Sequence, residues 1–153
     1  MSLAAAPPAG AAASSVVHRV PFFETDAMGV VHHSNYVRWL EVARIRWLEE
    51  HHRPYPEYVA AGRHFAVIRL EVDYRLPVGF DEEVTITVWP EWVKAATLRM
   101  AYRLSSPRGL VAHAATDHAM VDNEGRPRRI PREERDALRG LCGGLGPGGE
   151  RSA

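Results

Sequence analysis

Apolar and polar residues change their period twice along this chain, and the changes divide it into three kinds of segment. Val16 to Phe23 alternates loosely and is rich in β-branched and aromatic residues, which predicts a first strand. From about Ser34 the period becomes helical: Tyr36, Leu40, Ala43 and Trp47 share one face, and Val37, Trp39, Val42, Ile45 and Leu48 widen it. Charge is confined to Arg38, Glu41, Arg44, Arg46, Glu49 and Glu50, with Arg46 and Glu50 four apart and able to pair over one turn. A helix so widely apolar is expected to be wrapped by other elements. Ser34 and Asn35 are residue types that cap exposed N–H groups, which fixes its start. Pro54-Tyr55-Pro56 stops it, and Glu57 to Gly62 leaves room for one short helical turn.

From Phe65 the period is two. Ile68, Leu70, Val72, Tyr74 and Leu76 alternate with Arg69, Glu71, Asp73 and Arg75, the pattern of a half-buried strand. Pro77 to Asp81 forms a turn, and Val84, Ile86 and Val88 alternate with Thr85, Thr87 and Trp89 in the next strand, where Pro90 marks a bend or edge. Leu98, Met100, Tyr102 and Leu104 define a further strand, Ser105 to Gly109 a hairpin turn, and Leu110 to Val121 an alanine-rich last strand. Pro131 to Leu141 opens on proline and predicts a short terminal helix. One strand, one enclosed helix and four strands joined by short links predict an α+β layering, an antiparallel sheet of about five strands around a central helix.

Length and composition narrow this reading. The 153 residues suffice for one domain with a real core and no staples. Residues 1–15, mostly Ala, Pro, Gly and Ser, read as a disordered leader, 16–139 as the domain, and 140–153 as a flexible Gly-rich tail. Nineteen acidic and nineteen basic residues cancel, which removes the electrostatic case for nucleic acid or an anionic membrane as main partner. No run has the length of a membrane span and the leader lacks a secretion signal, so a cytoplasmic protein is expected. Cys142 is the single cysteine and excludes an internal disulfide; its glycine-rich setting predicts an inert, exposed thiol.

Candidate chemistry concentrates in Phe22-Phe23-Glu24-Thr25-Asp26-Ala27-Met28-Gly29-Val30-Val31-His32-His33-Ser34-Asn35-Tyr36. An aspartate before a glycine is ordinarily a turn residue, but here it precedes a helix start. An unperturbed aspartate side chain, with a reference pKa of about 3.9, is charged at neutral pH and can attack a carbonyl or take a proton from water. N–H groups around His33 to Asn35, reinforced by the helix dipole, are the complement for a developing oxyanion. Of the adjacent histidines His33 is the better partner for Asp26, being closer to the helix. Gly29 permits a left-handed turn or close approach of a ligand. Asn35 also reads as a cap, Tyr36 as core, Glu24 as a solvated strand-end residue, and His113 and His118 as core or surface residues. Metal binding by Asp26 and a histidine lacks a third ligand at a recognisable spacing. Trp39, Tyr36, Trp47 and Met28 are the residues available to line an apolar pocket.

The stretch from Glu24 to Tyr36, followed by the helix through Ala43-Arg44, resembles the signature of hotdog-fold acyl-CoA thioesterases of the 4-hydroxybenzoyl-CoA thioesterase type, including the Tol-Pal-associated branch. The resemblance implies a helix wrapped by a sheet, a homodimer or homotetramer with sites at the dimer interface, and hydrolysis of an acyl-CoA thioester without metal or bound cofactor. The family's catalytic aspartate falls on Asp26. The position seven residues on, a histidine in the Tol-Pal-associated branch and a backbone N–H donor in the hydroxybenzoyl enzymes, falls on His33. Gly29, Ser34, Asn35 and Tyr36 would position substrate, and Lys94, Arg126 and Arg128 would grip CoA phosphates. Where the Tol-Pal-associated branch has a tyrosine four residues before the aspartate, this chain has Phe22. A hydratase or dehydratase on the same fold and a non-catalytic acyl-CoA binder or adaptor are the alternatives.

Overall fold

The computed structural model describes residues 2–144. In chain order it contains β1 (Ser14–Arg19), a 3-10 turn (Phe22–Glu24), α1 (Asn35–His51), α2 (Tyr55–Ala60), β2 (Arg63–Tyr74), β3 (Glu83–Val93), β4 (Thr97–Ser106), β5 (Gly109–Asp122) and α3 (Arg132–Gly140). The strands form one antiparallel sheet in the order β1-β3-β4-β5-β2. α1 packs against β1 and β3, and its Leu40, Ala43 and Trp47 join Val84, Ile86, Val88, Met100 and Leu104 in one core. This is the hotdog arrangement expected from the alternation of helical and strand periods. Burying a side chain such as Leu40, which has no exposed surface, contributes about 1.5–3 kcal/mol.

Several local expectations are corrected. β1 begins at Ser14, and Pro21, without an N–H to give, ends the extended run so that Phe22 to Glu24 curl into a 3-10 turn. Ahead of β1, Ala12 donates to the Leu141 carbonyl at 2.9 Å and accepts from Trp47 Nε1 at 3.0 Å. α1 is covered on one side rather than all round: Val42 and Ile45 stay exposed. Neither Ser34 nor Asn35 caps it with its side chain. β2 shows the largest departure, because Ile68 and Leu70, read as its buried face, are 60% and 41% exposed. β2 is an edge strand with a bulge between Val67 and Arg69, so one ladder of its backbone and much of its apolar surface have no cover among the described residues.

Pro90 fits the register physically. β1 pairs with β3 only as far as Val88, so the residue without an N–H sits where β3 has lost one neighbour. Cys142 is buried, its thiol directed at the Leu138 carbonyl at 3.6 Å, because α3 folds its C-terminal end onto the core. The tail expected over 140–153 lies outside the described residues from 145 onward. No helix among the described residues is long and apolar enough to cross a membrane.

His118 on β5 is fully buried, and burial, with a smaller contribution from the Arg44 charge, pushes its pKa down to about 3. The unfolded chain therefore binds a proton that the fold refuses across the window from about pH 6.5 down to about 3, so stability falls with pH through it. Thermal unfolding of wild type and His118→Phe at pH 6.5 and 5.0 should show wild type losing about 2 kcal/mol more over that interval. Parallel pH profiles for the two proteins would contradict the buried neutral imidazole.

Candidate active site

The chemistry-bearing loop is a small hairpin. Thr25 bridges Val31, Asp26 N donates to the Val30 carbonyl at 2.8 Å, and Gly29 N donates to the Asp26 carbonyl at 2.9 Å. Gly29 closes the turn at φ 79°, where a side chain would meet no atom within 4 Å, so the glycine serves conformation, not space. The Asp26 carboxylate is half-buried and accepts the Met28 N–H at 2.8 Å, which fixes the side chain over its own turn. Val31 N donates to the Val78 carbonyl at 2.8 Å and Val30 bridges Gly79, docking the hairpin on the segment that enters β3.

Glu24, expected as a solvated strand-end residue, is buried at 6% exposure and is the hub of the loop. Its carboxylate accepts Trp39 Nε1 at 3.1 and 3.2 Å and pairs with His18 Nε2 at 2.6 Å; its carbonyl accepts His32 N at 2.8 Å and Asn35 Nδ2 at 2.9 Å. One residue thereby joins β1, both arms of the hairpin and the first turns of α1. Asn35 is used for this bond in place of a cap, and the Ser34 hydroxyl instead meets His32 Nδ1 at 2.7 Å.

His33 is exposed, with its ring against that of His32 at 4.1 Å between centroids. The N–H groups of Ser34 and Asn35 are occupied by His32 Nδ1 and the His32 carbonyl, whereas that of His33 has no acceptor among the described residues. The Tyr74 hydroxyl donates to the His33 carbonyl at 3.0 Å. Beside it a cleft of about 200 Å³ opens between Val31, His33 and Tyr36 on one side and Tyr74 to Pro77 on the other. Burial pushes Tyr36 up to about 12 and raises Tyr74, so both phenols keep their protons at neutral pH. Tyr36 lies edge-on to Tyr74 and against Trp39. Trp39 and Trp47 are core residues, while Met28 and Phe22 are exposed, Phe22 edge-on to Phe80 at 5.8 Å.

The basic residues lie elsewhere. Lys94 sits over the Trp92 ring at 4.5 Å just beyond β3, and Arg128 pairs with Asp122 at 2.7 Å. Ile130 N donates to the Ala95 carbonyl and Arg128 N to that of Met120, which brings exposed Arg126 and Arg128 to the same end of the sheet as Lys94. The hairpin docks at Gly79, before β3, so the 11 residues of β3 put roughly 30 Å between the two groups. Asp26 and His33 share one end of the molecule; Lys94, Arg126 and Arg128 share the other. Tyr74 and His18 were not singled out in the sequence, since an edge-strand phenol and a strand histidine acquire meaning only through partners 41 and 6 residues away.

Comparison with known proteins agrees with this fold. A solved structure of a hypothetical protein from Thermus thermophilus superposes with a TM-score of 0.79 at 35% identity, covering 85% of this chain and 98% of that one. A DHNA-CoA thioesterase from Staphylococcus aureus superposes with a TM-score of 0.78 at 25% identity over 84% and 87% of the two chains. The acyl-CoA thioester hydrolase YbgC of Escherichia coli O157:H7 is 29% identical over 116 residues, 74% of this chain and 87% of that protein. The family model of the thioesterase-like superfamily matches residues 20–138, from the end of β1 to α3, and the chain belongs to that superfamily.

Proposed function

We propose that this chain hydrolyses acyl-CoA thioesters, with Asp26 as the reacting carboxylate and the His33 N–H as the oxyanion donor. The observation that carries the reading is the hairpin itself: it holds a half-exposed carboxylate seven residues before a helix-start N–H that has no acceptor among the described residues. The carboxylate adds to the thioester carbonyl, or takes a proton from a water that adds, and the carbonyl oxygen gains the negative charge that the N–H and the helix dipole stabilise. Collapse releases CoA as its thiol and, directly or after hydrolysis of the acyl-carboxylate, the free acid. The His33 ring, exposed beside the cleft, assists proton transfer. Gly29 shapes the turn, Asn35 anchors the helix to Glu24, Ser34 holds His32, and Tyr36 walls the cleft.

The separation of the basic residues from Asp26 is resolved by a second copy. β2 runs from Arg63, beside Asp122 at the Lys94 end, to Tyr74, beside His33 at the hairpin end. Two β2 edges paired antiparallel about a two-fold axis would bring Lys94, Arg126 and Arg128 of one protomer alongside Asp26 and His33 of the other. They would also cover Ile68 and Leu70 and satisfy the open ladder. Guanidinium and ammonium groups there would meet the CoA phosphates. A homodimer, or a homotetramer built from two such pairs, is the assembly this implies, and a cytoplasmic protein remains the proposed setting.

Asp26→Asn keeps the shape of the side chain and the Met28 bond to its oxygen. It should fold as wild type and lose about 10²–10⁴-fold in turnover, read as CoA thiol released from a panel of short, long and aromatic acyl-CoAs. Undiminished turnover would refute the role of Asp26. Ile68→Asp places a charge on the open edge of β2 without touching the core. Light scattering coupled to gel filtration should show the assembly reduced to single chains, with thioesterase activity falling at least tenfold while circular dichroism is unchanged. An active variant of that size would refute the shared site.

A further inference from the structure

His33 stands in a tight turn between the hairpin and α1, and the peptides on either side of its Cα are each tied down. The peptide before it is held at the His32 carbonyl, which accepts Asn35 N at 3.0 Å. The peptide after it is held at both of its polar groups: Ser34 N donates to His32 Nδ1 at 3.2 Å, and the His33 carbonyl accepts the Tyr74 hydroxyl at 3.0 Å. Three of these partners belong to the turn itself. Tyr74 does not: it reaches over the cleft from the last position of β2, 41 residues away.

The phenol is itself well aimed. Tyr74 pairs with Ala112 of β5, and the chain turns at once beyond it, Arg75 N and Leu76 N both donating to the Val111 carbonyl. Its ring stands edge-on to that of Tyr36, at 4.9 Å between centroids and 87° between planes, and Tyr36 is a core residue. Burial raises the Tyr74 pKa, so the hydroxyl keeps the proton it donates. The bond adds little to folding, because Tyr74 is 47% exposed and water competes for both partners. What it supplies is precision. Peptide planes are rigid and two of them meet at the His33 Cα, so a rocking Ser34 peptide carries the His33 N–H with it. A donor displaced by about 1 Å from a reacting centre costs on the order of a hundredfold in rate.

We propose that Tyr74 is a positioning residue of the hydrolytic site: its hydroxyl, through the His33 carbonyl, holds the turn that aims the His33 N–H at the developing oxyanion. This role rests on the thioester reading above, in which Asp26 and His33 are the reacting groups, and it adds the end of β2 to the elements that define the site. The turn is then clamped from two sides. Glu24 takes His32 N at 2.8 Å on the core side, and Tyr74 takes the His33 carbonyl on the cleft side. A direct role as acid toward the leaving thiolate fits less well, because a phenol has one proton and that of Tyr74 is committed to the carbonyl.

Tyr74→Phe in the full chain removes the hydroxyl and keeps the ring against Tyr36. With whichever acyl-CoA of the panel wild type cleaves fastest, kcat should fall about 10–100-fold. KM should stay within about twofold, since an N–H that acts on the oxyanion serves the transition state and not the bound thioester. The pH profile of kcat should keep its wild-type shape, because a positioning group gives up no proton. In proton–nitrogen correlation spectra the His33 and Ser34 amides should shift and exchange faster with solvent in the variant, while those of Asp26 and Met28 stay in place. An unchanged kcat, an effect on KM alone, or loss of the alkaline limb of the pH profile would overturn the positioning role, the last by making Tyr74 a proton donor itself. The spectra separate the tie from the hydrolysis it serves. Moved His33 and Ser34 amides in a protein that cleaves no thioester would sustain the tie and end the hydrolytic reading, whereas unmoved amides in a fully active variant would do the reverse.

Discussion

A carboxylate removed from water costs several kcal/mol unless its oxygens are paired, and Glu24 meets that demand with groups from two different elements. Trp39 Nε1 comes from the second turn of α1 and His18 Nε2 from β1, while the Glu24 carbonyl collects Asn35 and His32. No one of these bonds exceeds the modest net contribution of an ordinary hydrogen bond by much, but breaking any would leave a buried partner unsatisfied. The geometry is therefore held jointly. Asp26 is two residues from this hub and His33 is two residues from Asn35, so the distance between the proposed carboxylate and the proposed oxyanion donor is set by Glu24 rather than by either group. A chain that must keep a reactive side chain partly wet can do so when the rigidity is supplied by a buried neighbour.

The same division between a rigid interior and an incomplete surface appears at the other edge of the sheet. β1 is short and meets the loop and the N-terminal segment, whereas β2 is twelve residues long, carries exposed Val67, Ile68 and Leu70, and has one edge that pairs with no strand among the described residues. Natural edges are normally blunted by charge, proline or brevity. Arg69, Glu71, Asp73 and Arg75 do supply charge, but Arg69 and Arg75 are spent on Glu71 and Asp73 of their own strand. An edge whose charges are internally neutralised and whose apolar residues point outward is suited to joining a like edge, and the proposed pairing would give the placing of Lys94, Arg126 and Arg128 at the opposite end from Asp26 a chemical purpose.

Element types were legible in the sequence because burial imposes its period wherever a segment has one wet and one dry face. The helix at Asn35, the strands after Phe65 and the turn at Gly29 all follow from that rule or from the left-handed angle that glycine tolerates. The failures share another cause. Ile68 and Leu70 alternate as a buried face should, yet no element among the described residues covers them. Residue type and neighbours point Glu24 and Cys142 to solvent, but each is buried by an element distant in sequence: α1 for Glu24, the return of α3 for Cys142. Ser34 and Asn35 have capping side chains, yet the pull of buried Glu24 and neighbouring His32 outweighs the local preference. Alternation reports which residues are dry; it does not report what dries them.

α1 runs from the cleft beside His33 to a second, largely apolar cavity between its later turns and the sheet. Its first turn offers N–H groups and the positive end of its dipole to the cleft, and its third turn carries Arg44 into the second cavity. Because a helix is stiff along its axis, the roughly 14 Å between those positions is fixed by backbone geometry. Within one chain that spacing keeps the two spaces apart, as the intervening Leu40 and Ala43 are wholly buried.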